Sequence, residues 1–156
     1  MNPYAPPGAA VQDLPAKPGS ALKAVSLGLL ADIGGTVAGG MVLMVVYGIL
    51  LGATGSSAEE IMASAADFSA TDSWLFYLGT AVGLGFSVLG GYVCARIARR
   101  AEMKLGAVLA VLSAAIGLLL SANEYQLGAL LSITLASIGA VMIGARLGYA
   151  KNRGNK

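Results

Sequence analysis

The chain has 156 residues, 56% of them apolar and only 12% charged, with a net charge of +2; about 25% charged is usual for a soluble domain, so a soluble domain is excluded. Its 22 glycines show no Gly-X-Y period and its prolines number only 5, which excludes a fibrous or a disordered chain. Histidine is absent and Cys94 is the single cysteine, which excludes disulfide scaffolds, Cys/His zinc sites and Ser-His or Cys-His nucleophiles.

Residues 1–20 hold all five prolines and no apolar period, so they read as a Pro-rich extended tail rather than a signal peptide. Within it Tyr4, Pro6, Pro7 and Gly8 form a short polyproline II candidate of the kind that docks in aromatic-lined grooves. Pro-Pro-Gly also resembles ligands of GYF-type adaptor domains, which implies a cytoplasmic adaptor as partner; the alternative is an inert solvated tail. Four apolar runs follow, predicting spans over about 33–52, 74–97, 103–121 and 127–147, near the roughly 20 residues a bilayer requires. The first run begins earlier, at Leu22, so it must tilt or start as an interfacial helix over about 21–30. After it, Ser56-Ser57 followed by Glu59-Glu60 reads as a helix N-terminus. Ile61, Ala65 and Phe68 share one face beyond it, which predicts a short amphipathic helix on the outer membrane face. Thr71-Asp72-Ser73 then caps the second span, and residues 151–156 form a basic tail.

Charge fixes the orientation. Lys17 and Lys23 precede the first span, Arg96, Arg99, Arg100 and Lys104 join the second to the third, and Arg146, Lys151, Arg153 and Lys156 follow the fourth. These are all ten Lys and Arg residues, and the opposite loops carry Glu59, Glu60, Asp67, Asp72 and Glu124 without a single basic residue. The positive-inside rule therefore predicts both termini in the cytoplasm, and Trp74, Phe76, Tyr77, Tyr125, Tyr92 and Tyr149 stand where aromatic belts belong. The expected fold is all-α, a four-transmembrane-helix bundle with a short outer-face amphipathic helix.

Small residues recur along every span: Gly28, Gly35, Gly39 and Gly40, then Gly79, Gly83 and Gly91, then Gly106, then Gly128 and Gly144. Such stripes let backbones approach closely in lipid. They serve either packing within one bundle or contact with an identical or different membrane partner. Cys94-Ala95-Arg96-Ile97-Ala98 and Gly144-Ala145-Arg146-Leu147-Gly148 close two spans alike, which suggests two duplicated hairpins or convergent inward helix ends. Cys94 itself reads as a packing residue.

Asp32 is the only acid inside an apolar run, and an ionisable residue there marks a functional site by default. If the span starts near Lys23, Asp32 lies about 13 Å inside. If the span is 33–52, it sits at the interface, as a helix N-cap or paired with Arg96 or Arg146. Span length favours the second, structural role.

Two resemblances accompany these readings. Leu30-Ala31-Asp32-Ile33-Gly34-Gly35-Thr36 resembles the first helix of small multidrug resistance transporters, which implies transport coupled through Asp32. Met1-Asn2-Pro3-Tyr4-Ala5-Pro6-Pro7 and Gly90-Gly91-Tyr92-Val93-Cys94-Ala95-Arg96-Ile97-Ala98 resemble a set of uncharacterised bacterial four-helix inner-membrane proteins, which implies that topology and a bacterial inner membrane but no reaction. The sequence reading is a non-enzymatic membrane subunit or scaffold. It would need no cofactor or metal, face lipid, bind identical or partner helices and take no nucleic acid. The alternative is a small proton- or cation-coupled transporter or channel using Asp32.

Overall fold

The computed structural model describes residues 19–66, 73–121 and 125–154. Six α-helices occupy them: α1 (Ala21–Leu29), α2 (Gly35–Ala53), α3 (Ala58–Ala66), α4 (Trp74–Ala98), α5 (Glu102–Ser121) and α6 (Leu127–Arg153). The tail motif Tyr4, Pro6, Pro7 and Gly8 lies outside the described residues, as do Phe68, Thr71 and Asp72.

Helix starts follow the local chemistry. Ser20 caps α1 by accepting from the Lys23 N–H, and Ser73 caps α4 by accepting from the Leu75 N–H. At α3, Ser57 N–H donates to Glu60 Oε2 (2.8 Å) and Glu60 N–H donates to Ser57 Oγ (3.3 Å), a reciprocal capping box. Gly55, at φ +88°, makes the left-handed turn that ends α2. Ile61 of α3 then packs over Gly48 and Gly52.

The first apolar run is not an interfacial piece followed by a span. A turn of π-helix (Leu30–Gly34) joins α1 to α2 without a break, giving one 33-residue helix, Ala21–Ala53. At 1.5 Å per residue this is about 50 Å, longer than the hydrocarbon layer. With α4, α5 and α6 it makes four helices long and apolar enough to cross a membrane. Large apolar side chains such as Met41, Val45, Ile49, Leu119 and Leu135 point outward, as lipid contact requires.

The bundle is tight at one end, where α1 begins, α4 and α6 finish, and α5 starts among the basic residues. Helices α4 and α6 run parallel and carry the most extensive contact in the molecule. A Cβ on Gly144 would lie 1.9 Å from the Val88 carbonyl oxygen, and one on Gly91 would lie 2.0 Å from that of Val141. The two backbones therefore touch, as small-residue stripes permit. The echoed segments that close the second and fourth spans thus lie side by side. Gly28 is equally confined, against Cys94, Leu109 and the Gly90 carbonyl, while Gly106 meets Ala145. Fully buried Ala24, Cys94, Ala98, Leu109 and Val141 form the core there. Beside it, Arg96 Nη1 donates to Asn152 Oδ1 (2.9 Å), and Asn152 Nδ2 donates to the Ala95 carbonyl (2.9 Å) and towards Glu102 Oε1 (3.4 Å). This network ties the ends of α4, α5 and α6 together.

The other end is looser. Helix α2 has no buried residue and packs on α4 and α3, with no comparable contact to α5 or α6 among the described residues. Gly35 and Gly39 rest on Phe86, and Tyr47 meets Trp74 edge-on with ring centroids 6.4 Å apart. Between α2, α4, α5 and α6 a space remains.

Candidate functional site

That space is a cavity of about 360 Å³. Phe76, Leu120 and Tyr125 line it at the end away from Asp32, with the Phe76 and Tyr125 rings 5.7 Å apart. Thr80, Gly83 and Leu84 of α4, Ile116 and Gly117 of α5, and Ile133 and Thr134 of α6 form its wall. Gly40 and Gly79 line it as well. Its foot is Asp32 with Thr36, Ser87, Ser113 and Ser137, and no lysine or arginine among the described residues lines it.

The π turn sets Asp32 there. It re-registers the helix so that Gly28 and Asp32 face the α4 crossing below the turn, while Gly35 and Gly39 face it above. At that crossing Gly90 leaves room for the Asp32 Cβ: a methyl on Gly90 would come within 2.7 Å of it. Such π turns are frequent at functional sites. The Thr36 hydroxyl donates to the Asp32 carbonyl (2.7 Å), satisfying backbone that the turn loosens.

The carboxylate is 2% exposed. Ser87 Oγ donates to its Oδ1 (2.7 Å), Ser113 Oγ donates to its Oδ2, and Ser137 Oγ lies 3.3 Å from Ser87 Oγ. Each serine is near the middle of its helix, so Asp32 sits at mid-depth in the bundle.

This corrects the reading of Asp32 as a helix N-cap or as the partner of Arg96 or Arg146. Asp32 does not cap a helix, because the helix runs through it, and its partners are serines rather than Arg96 or Arg146. Those arginines stand nine residues beyond Ser87 and Ser137, about 13 Å farther along α4 and α6 by helix rise. Arg96 donates to Asn152 instead, and Arg146 is exposed. The glycine stripes divide between two uses. Gly28, Gly35, Gly39, Gly91 and Gly144 are close-packed within the chain, Gly40, Gly79 and Gly83 line the cavity, and Gly128 has open space beside it.

Nothing local in the sequence marks Ser87, Ser113, Ser137, Thr80 or Thr134 as site residues. The usable signal was one hydroxyl at the same depth in each of three apolar runs.

Magnitudes decide what this arrangement asks for. A lone charged carboxylate at the centre of a membrane helix costs at least about 3 kcal/mol. Hydrogen bonds between membrane helices return about 0.6–2 kcal/mol each, so two serines offset that cost only in part or at their upper limit. Asp32 itself lines the cavity.

Compared with protein-family models, curated proteins and solved structures, the chain matches none. Fold and site therefore define its class directly: a multi-pass membrane protein with a buried acid at the foot of an intramembrane cavity.

Proposed function

We propose that the chain is a small, non-enzymatic cation-handling transporter or channel of a bacterial inner membrane that takes its cation at Asp32. The observation that carries this reading is a carboxylate at mid-depth in the bundle, with no basic partner among the described residues, that lines a cavity. With the basic end and both termini in the cytoplasm, as the positive-inside rule requires, the cavity lies on the outer side of Asp32 and the close-packed crossings at Gly28, Gly91 and Gly144 on its inner side. The competing reading, a subunit that binds partner helices through small-residue stripes, loses its main support, since most of those glycines are engaged inside the chain.

The test is flux in proteoliposomes holding the purified protein, followed with a pH-sensitive dye and with radioactive sodium. Cation movement above that of protein-free vesicles, lost in an Asp32→Asn variant that elutes as a single sharp peak, is the expected result. Equal flux in wild type and well-folded D32N would sink the proposal.

A further inference from the structure

We infer that the foot of the cavity is a site for a bare monovalent metal cation of sodium size, formed by Asp32, Ser87, Ser113 and Ser137. This deepens the cation-handling reading and rests on it. The donors are all oxygen, one carboxylate and three hydroxyls, a hard set that suits alkali and alkaline-earth ions rather than soft transition metals. One carboxylate supplies one negative charge, and the described residues contain no cluster of three acids, cysteines or histidines. Calcium sites draw on several carboxylates, and magnesium keeps its waters and demands octahedral geometry. A single positive charge is what this site neutralises.

Spacing sets the size. Sodium has nearly the radius of calcium, whose oxygen ligands lie at about 2.3–2.6 Å, so adjacent ligands stand about 3.3–3.7 Å apart. Ser87 and Ser137 are already 3.3 Å apart, and Ser87 is 2.7 Å from Asp32 Oδ1. Turning the hydroxyl protons away and opening the contacts of Ser87 and Ser113 with the carboxylate by about an ångström produces the ion's nest; a potassium ion needs a wider one. Asp32, Ser87 and Ser113 are each less than a tenth exposed, yet all line the cavity. An ion arriving there is stripped of bulk water and faces oxygen on four helices.

The experiment is thermal unfolding of the full chain in mild detergent, at fixed pH and ionic strength, titrating sodium, lithium or potassium chloride against choline chloride. The expected result is a saturable rise in midpoint with sodium, half-complete at a concentration at least tenfold below that for potassium. Ser137→Ala, which leaves both bonds to the carboxylate intact, should weaken the sodium response about tenfold, read against the same variant's own midpoint in choline. Identical midpoints in sodium, potassium and choline would overturn the site. If Asp32-dependent proton flux persists in the proteoliposomes, only the sodium assignment falls; if no cation flux appears either, the transport reading falls with it.

Discussion

Replacing Gly144 by alanine tests whether the closed end of the bundle depends on backbone contact. The added methyl would sit 1.9 Å from the Val88 carbonyl oxygen, 2.8 Å from its carbon and 2.9 Å from the Tyr92 nitrogen. All three are main-chain atoms of a helix, so no side chain can rotate away. To reach an ordinary carbon–oxygen contact of about 3.3 Å, α4 and α6 must part by more than an ångström along their shared seam. Overpacking of a close-packed interior costs about 1–3 kcal/mol, and this position belongs at the upper end because backbone must move. For a chain of this size each kcal/mol lowers the midpoint by about 2–4 °C, so G144A should lose roughly 5–10 °C in detergent. The control is Gly128→Ala, beside which nothing lies within 4 Å; it should match or exceed wild type, since alanine is the better helix former by up to about 1 kcal/mol. Gly91→Ala meets the same seam from the other helix, so the double variant should lose less than the two single losses combined. A G144A protein as stable as wild type would refute the backbone-contact account.

Other expectations follow from single contacts. Asn152→Ala removes the acceptor of Arg96 Nη1 and the shorter of two bonds to the Ala95 carbonyl, which keeps only the Arg99 N–H at 3.4 Å, and should cost about 1–2 kcal/mol, read as an earlier thermal midpoint. Ala101 holds a left-handed conformation at φ 53°, so Ala101→Gly should raise the midpoint by the equivalent of about 1 kcal/mol. Ser57→Ala breaks the capping box of α3 and should speed amide exchange over Ala58–Ala66 while leaving the global midpoint within a degree or two. In a Cys94→Ala background, Thr134→Cys should react with an impermeant thiol reagent from the outer side only, whereas native Cys94, fully buried, should stay unlabelled from either side.

Some of this molecule could be read from the chain because the causes are local. Ser57 and Glu60 cap α3 through atoms three residues apart, and run length alone shows α4, α5 and α6. The placement of Asp32 was not local. Its partners Ser87 and Ser113 are 55 and 81 residues away, and helical period reveals which residues share a face but not which faces meet. A length rule also misled: about 20 residues suffice to cross, so the stretch before Ile33 looked dispensable to the span. In the structure that stretch is the anchored part, with Ala24 and Gly28 buried against α4 and α5. The reversal between α4 and α5 was equally hidden, since Arg99 and Ala101 take left-handed angles without a glycine to mark them.

The first helix is held in two different ways on either side of Asp32. Below the acid, α1 is clamped by glycine contacts to α4; above it, 19 residues of α2 are braced chiefly along one neighbour. Mechanically that is a lever with its fulcrum at the π turn and an arm about 28 Å long. A tilt of about 10° at the fulcrum sweeps the tip at Ala53 through roughly 5 Å, a displacement comparable to one helical turn. Asp32 therefore sits where the least local movement gives the greatest distant travel.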